Sequence, residues 1–338
     1  MYDLNKEIVK FHNTEVSLSA SLQSEMRKRR DANQNRLKKG LKDNGDPAVL
    51  RHVAQGSYAM HTMIQDESND YDIDDGSVFN KEDLKGKQGA YLTPLDVREM
   101  VRDAVDDGSF KTPPEVKTNC VRVHYDAGYH VDIPVYRKLE DSSLELASSS
   151  WKGSSPTEVT EWYNDAVIEQ SPDSTNGRQM RRDTKLLKNF SRSRSCWKKK
   201  VPSGLILSVL IDEKYVFNSE RDDKSFYDTM VAIRDRLNLN LQVWHPVRTA
   251  EELTSGYDDA KTKFFREKLD KAISDLEILF DPACARLDAL KAWNKVFDHQ
   301  FFKDLITEEE EKEKEKSKSG SIAIPTVMAT KPWLNDEI

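Results

Sequence analysis

The pattern of the chain predicts an α+β protein, with strands gathered in the first half and helices in the second. Three observations carry this. Residues 71–79 read as a strand beginning Tyr71-Asp72-Ile73-Asp74-Asp75-Gly76. NCVRVHY and YHVDIPVY flank the three-residue turn Asp126-Ala127-Gly128, which reads as a hairpin. From residue 157 onward, apolar side chains recur with helical spacing.

In chain order, residues 17–41 form one long polar helix, rich in Arg and Lys along its middle, of the kind that lies across a surface. Residues 48–64 carry a short helix or strand into the turn at Gln55-Gly56-Ser57. A helix over 94–106 opens with Thr93 as N-cap and Pro94 at the first helical position. In the hairpin, the three-residue turn pairs Tyr125 with Tyr129, His124 with His130, Val123 with Val131 and Arg122 with Asp132. Val121, Val123 and Val131 then form a core face, and Arg122, His124, His130 and Asp132 a polar one. Residues 141–156 are Ser-rich and read as a loop. Helices follow over 157–170, 176–194, 203–216, 222–237, 256–280 and 283–303. The last two carry apolar stripes (Phe264, Phe265, Leu269, Ile273, Leu276 and Leu279; Leu287, Leu290, Trp293, Val296, Phe297 and Phe301) that serve packing. EEEEKEKEK over 308–316 could extend the last helix through i,i+4 Glu–Lys pairs but reads as a solvated, charged linker, followed by the less polar end IAIPTVMATKPWLNDEI. The expected division is a core over 1–156 including the long N-terminal helix, a helical lobe over 157–306, and a linker with a flexible tail over 307–338.

Whole-chain properties narrow the function. The 338 residues suffice for two cores without disulfide staples. A net charge of −7 excludes non-specific binding to DNA by the body as a whole, so any affinity for polyanions is local. Cys120, Cys196 and Cys284 are scattered and form no CxxC pair, and the seven histidines lack metal-ligand spacing. There is no apolar run of about 18 residues and no basic-then-apolar leader, so a soluble cytoplasmic protein with no membrane contact is expected.

The chemistry lies in the acidic strands. Side chains alternate along a strand, so Asp72 and Asp74 share a face and Asp75 takes the other. Two adjacent carboxylates repel unless a cation lies between them. Asp132, on a neighbouring strand, completes a hard-oxygen set suited to two Mg²⁺ ions. Gly56 and Ser57 can offer backbone N–H groups and a hydroxyl to phosphate. The combination points to nucleotidyl transfer, with Asp72 and Asp74 serving both ions and Asp132 the ion beside the attacking sugar hydroxyl; the competing reading is an acidic strand edge that deters aggregation. A basic run from Arg178 to Lys200 includes Lys188 and precedes Ser203. Lys188 and Ser203 are the candidate triphosphate contacts, with a plain N-cap as the other role for Ser203.

QGSYAMHT (Gln55 to Thr62), YDIDDG (Tyr71 to Gly76), YHVDIPVY (Tyr129 to Tyr136), TKLLKNF (Thr184 to Phe190) and Pro202-Ser203 occur in order. In this set, over roughly residues 20–300, the chain resembles the bacterial cGAS/DncV-like nucleotidyltransferases, most of all the DncV-like branch. These enzymes make cyclic di- or trinucleotide signals in anti-phage defence. The resemblance implies a polymerase-β-like core, a mixed sheet with flanking helices, fused to a helical lobe, with nucleotides in the cleft between them. It implies that Gln55, Gly56 and Ser57 bind donor phosphates, that Asp72, Asp74 and Asp132 hold Mg²⁺, and that Lys188 and Ser203 hold the triphosphate. Arg122 suits a nucleotide phosphate or base edge. The implied reaction joins ATP, GTP or other nucleoside triphosphates in two successive transfers, most simply to a cyclic dinucleotide. No zinc-binding His/Cys insertion is present, so DNA activation is not expected; a ubiquitin-transfer-like partner acting on the C-terminal tail would fit the family. The alternatives are an RNA-tailing or small-molecule-modifying enzyme of the same fold, and a non-catalytic nucleotide-binding module.

Overall fold

In the computed structural model, which describes residues 1–65, 72–126 and 128–320, the N-terminal part runs α1 (Asn5–Phe11), a π-helical turn (His12–Val16), α2 (Ala20–Asn44), β1 (Arg51–Gln55), α3 (Gly56–Ala59), β2 (Asp72–Asn80) and α4 (Pro94–Val105). Then come β3 (Glu115–Val116), β4 (Val121–His124), β5 (His130–Ile133), β6 (Val135–Lys138), β7 (Leu144–Ala147) and β8 (Trp151–Ser154). The helices α5 (Pro156–Gln170), α6 (Gln179–Arg192), α7 (Gly204–Lys214), α8 (Asp222–Leu239), α9 (Ala260–Leu276), α10 (Arg286–Phe297) and α11 (Gln300–Gly320) complete it. Tyr71 of the expected strand, Ala127 of the expected turn and the tail over 321–338 lie outside the described residues.

Among the described residues the strands form one mixed sheet in the order β3-β4-β5-β2-β6-β7-β8, with β1 paired to β2. The long strand β2 organises it, taking β1 antiparallel on one side and β5 then β6 parallel on the other. Pro134 separates β5 from β6 because it has no N–H to give, yet its carbonyl still accepts from Ser77 N at 2.8 Å and keeps the ladder continuous. The hairpin pairs as its turn predicts, with Arg122 opposite Asp132 and Val123 opposite Val131.

Local chemistry sets the helix ends. Thr93 and Asp96 form a reciprocal capping box at the start of α4, and Gly45, at φ 74°, ends α2 in the left-handed conformation. Gly40 lies where any Cβ would strike the carbonyl of Ala104, so α2 and α4 approach backbone to backbone. Both helices cover one face of the sheet, packing Met26, Leu37, Val97 and Val101 on Ile73, Phe79, Val123 and Val131. The opposite face of β2, bearing Asp72 and Asp74, is left for the cleft.

A second apolar cluster fills the helical lobe around Leu187, Phe226, Phe265, Trp293 and Phe297. The chain's first residues pack with this lobe and not with the sheet. Leu4, Ile8, Phe11 and Val16 join its cluster, Leu4 N donates to Asp223 Oδ2 at 3.0 Å, and Phe11 meets Phe297, Phe301 and Phe302. Burying a side chain such as Phe11 contributes about 1.5–3 kcal/mol, which holds this segment across the lobe.

Three expectations need correction. The Ser-rich stretch 141–156 holds the paired strands β7 and β8, because Leu144, Leu146, Ala147 and Trp151 supply enough packing to override the turn-like composition. The single helix expected over 283–303 is two, broken at Asp298, which adopts the left-handed φ of 48°. The charged run 308–316 is helical within α11, anchored where Glu309 and Glu310 pair with Arg286 and Lys291. No helix among the described residues is long and apolar enough to cross a membrane.

Candidate active site

Strand register builds the site. Gln55 stands opposite Asp74, Asp74 opposite Asp132, Asp132 opposite Arg122 and Arg122 opposite Glu115, a row of polar side chains across five strands. Asp72 precedes Asp74 by two positions, on the same face and level with His130. Asp75 turns to the other face, where Gln34 of α2 donates to its Oδ2 at 2.8 Å. Alternation therefore divides three neighbouring carboxylates between two jobs.

One oxygen from each of Asp72, Asp74 and Asp132 comes within 4.8 Å of the other two. Burial, then the charges of Asp72 and Asp132, push the Asp74 carboxyl well above its usual range, with Arg122 opposing. The Arg122 guanidinium grips Asp132 through two bonds, Nε to Oδ1 at 2.8 Å and Nη2 to Oδ2 at 2.7 Å, and stands 4.0 Å from Asp72 Oδ2. Asp132 is only 5% exposed, so this fork fixes its plane. Three clustered oxygen donors with one shared cation beside them suit a divalent metal, which would relieve the repulsion that now raises Asp74.

The candidate phosphate-binding residues face this row. Gly56 has φ 64°, and a Cβ there would collide with Asp74 Oδ2, so only glycine brings the Gln55–Ser57 segment against the carboxylate. Gln55 is aimed by Tyr136, whose hydroxyl donates to its Oε1 at 2.8 Å. Lys188, on α6 and 5% exposed, donates to Thr62 Oγ1 at 2.6 Å. Burial, with help from Arg192 and Lys185, brings its pKa down to about 7. An arriving phosphate would restore its charge.

Two chambers meet at this point. The first, about 340 Å³, lies between Tyr136, Ser154, Ser155, Val159, His245 and Arg248. The second, about 440 Å³, holds Asp72, Asp74, Arg122 and Arg192. Ser57, Lys188 and Gly204 line both. The structure thus brings together Gln55, Gly56, Ser57, Asp72, Asp74, Asp132, Arg122 and Lys188. Ser203 is the N-cap of α7, its Oγ accepting from Ile206 N at 3.4 Å, while its neighbour Gly204 is the residue that lines the chambers. Sequence reasoning missed Tyr136, Thr62, His245 and Arg248. The first two lie inside motifs already singled out, whereas the 245–251 loop has no pattern of its own.

A family model described as "Cyclic GMP-AMP synthase DncV-like, nucleotidyltransferase domain" matches residues 50–136. Over residues 50–136 the chain is similar to a DncV-like nucleotidyltransferase domain. That stretch spans the sheet from β1 to β6 and carries all three aspartates. Similarity of structure extends across the helical lobe. The Bradyrhizobium diazoefficiens CD-NTase CdnG in complex with GTP matches with a TM-score of 0.68 at 14% identity, covering 89% of this chain and 97% of that one. Vibrio cholerae DncV, in complex with the linear intermediate 5′-pppA(3′,5′)pG, matches with a TM-score of 0.68 at 15% identity, covering 89% and 96%. E. coli MS115-1 CdnC with ATP gives 0.65 at 17% identity, covering 88% and 98%. The described residues therefore have the fold of these proteins, a mixed-sheet core joined to a helical lobe with the candidate site between them.

Proposed function

We propose that this nucleotidyltransferase makes a cyclic oligonucleotide second messenger, most simply a cyclic dinucleotide, from nucleoside triphosphates in bacterial anti-phage signalling. The observation that carries this reading is the acidic triad at the junction of two chambers that share Ser57, Lys188 and Gly204. A single-chamber transferase needs room for one triphosphate beside an outside acceptor. Here donor and acceptor nucleotides can both be housed within the protein.

In each transfer, a sugar hydroxyl oxygen bonds to the α-phosphorus of the donor, the bond to the pyrophosphate oxygen breaks, and the hydroxyl proton is lost. Asp72, Asp74 and Asp132 would hold Mg²⁺, which lowers the pKa of the attacking hydroxyl and neutralises the leaving pyrophosphate. Arg122 keeps both oxygens of Asp132 in one plane. Gly56 holds Ser57 against the Asp74 side of the row, and Lys188 regains its proton as the triphosphate approaches, offering a cation where charge accumulates. The linear product keeps one triphosphate. Turned end for end, it presents that triphosphate to the same phosphate-binding residues, and the second transfer closes the ring.

Incubation with the four NTPs and Mg²⁺, without primer, tests this. The expected result is a phosphatase-resistant cyclic product. Synthesis that depends on an added RNA or small-molecule acceptor would favour the other enzymes of this fold, and nucleotide binding without pyrophosphate release would favour a non-catalytic module.

A further inference from the structure

The loop between α8 and α9 lines the first chamber and not the second, which holds Asp72 and Asp74. It is held by backbone bonds from Leu253 N to Val243 O at 2.8 Å and from His245 N to Glu251 O at 2.8 Å. His245, 4% exposed, lines the chamber. Its Nδ1 accepts from the backbone N–H groups of Val247 at 3.2 Å and Arg248 at 3.0 Å. A ring nitrogen that accepts carries no proton, so the neutral ring is protonated at Nε2. Burial, then the nearby Arg248 charge, lowers the pKa and keeps the ring neutral. Among the described residues nothing accepts from that Nε2–H.

Arg248 has the same incompleteness. Its Nε donates to Glu251 Oε2 at 2.8 Å, and Lys152 takes Glu251 Oε1 at 3.3 Å. The two Nη groups of Arg248 have no partner among the described residues. The loop therefore presents hydrogen-bond donors to the chamber while its carboxylate is already engaged.

His245, Arg248 and Glu251 line the first chamber and not the second, whereas Ser57, Lys188 and Gly204 line both. The candidate phosphate-binding residues are thus at the shared end, which leaves the base of a nucleotide held there to extend toward the loop. We infer that His245 Nε2–H and the Nη groups of Arg248 read the base of the donor nucleotide, and that they accept a base with a carbonyl at that edge, a 6-oxopurine or 4-oxopyrimidine, in preference to one with an amino group there. Guanine offers O6 and N7, and uracil offers O4, as acceptors; adenine and cytosine would turn N–H against N–H. The inference rests on the reading of this chamber as a donor-nucleotide site.

The test is equilibrium binding of non-hydrolysable triphosphate analogues of guanosine, inosine, uridine, adenosine and cytidine to the full chain. The oxo bases should bind on the order of tenfold to a hundredfold more tightly than the amino bases. Inosine, which lacks the 2-amino group, should follow guanosine. Arg248→Met should weaken only the oxo bases. His245→Asn, whose Oδ1 can still accept from the Val247 and Arg248 amides, should do the same with the loop intact. Equal binding of all five, inosine behaving like adenosine, or an equal loss for every base in Arg248→Met would overturn the assignment. Pyrophosphate release by the wild type is measured separately. Its absence would reject the catalytic reading, while the binding series would still judge the base preference.

Discussion

Replacing Asp74 by Asn should make the metal-free protein more stable while removing its response to Mg²⁺. Asp74 is half-buried and shares its surroundings with two other carboxylates. At the outer separation of 4.8 Å and an effective dielectric of about 20, two full charges repel by about 3.5 kcal/mol. Asn removes two such repulsions, forfeits the attraction to Arg122, and keeps the shape of the side chain. Exposure of Asp72 screens part of the gain, so a net stabilisation of about 1–3 kcal/mol remains. The folded pKa of Asp74 is raised, so its contribution to stability is fully present below the unfolded carboxylate value and is lost as pH rises through the folded one. The benefit of Asn should accordingly grow from acid to neutral pH. Thermal melts in EDTA at neutral pH should place Asp74→Asn about 2–5 °C above wild type. Added Mg²⁺ should raise the wild type by mass action and leave the variant where it was. A variant melting below wild type in EDTA would mean that Asp74 is a structural carboxylate, and the metal-site argument would fail.

Other residues give separate tests. Gly56→Ala should cost about 1–3 kcal/mol through its left-handed backbone and its collision with Asp74 Oδ2, and should lose activity out of proportion, as read by melting and pyrophosphate release. Lys188 loses its charge as pH rises through about 7 in the free enzyme, so kcat/KM for NTP should fall on that side. Lys188→Arg, charged throughout, should flatten this alkaline limb in a pH series even at lower absolute rate; an unchanged limb would detach it from Lys188. Ser225 Oγ lies 2.7 Å from Asp183 Oδ2 and 2.9 Å from the Val216 carbonyl. The hydroxyl donates toward both acceptors, and burial pushes the Asp183 carboxyl well above its usual range in spite of the bond from Ser225. Its stabilising contribution is lost as pH rises, and Asp183→Asn should gain about 1–3 kcal/mol at neutral pH while flattening the pH dependence of Tm.

The acid row was legible because a strand's two-residue period assigns faces without help from the rest of the fold. Asp72 and Asp74 could be separated from Asp75, and the turn length set Arg122 opposite Asp132. The helical stripes were legible for the same reason. The β7–β8 hairpin was hidden by serine-rich composition, because pairing with β6 decides those strands and local propensity does not. Docking of α1 on the helical lobe was equally hidden, as nothing in NKEIVKF names the surface that receives Phe11. The chamber-lining roles of Tyr136 and His245 depend on which distant elements meet. Tyr136 fits because Gly76, on the adjacent strand, leaves room for its ring. His245 carries its proton at Nε2 because the backbone folds two amides onto Nδ1. Such relations between distant elements carry no signature in a single sequence.

The ratio of pyrophosphate released to nucleotide incorporated most directly tests two transfers in one site. Closing a ring of any size releases one pyrophosphate for every nucleotide in it, whereas a linear dinucleotide releases one for every two. With the four NTPs and Mg²⁺, the account predicts a ratio of one, lost together with the product in Asp132→Asn. A ratio that stops at one half, or a ratio of one that survives loss of the Asp132 carboxylate, would contradict it.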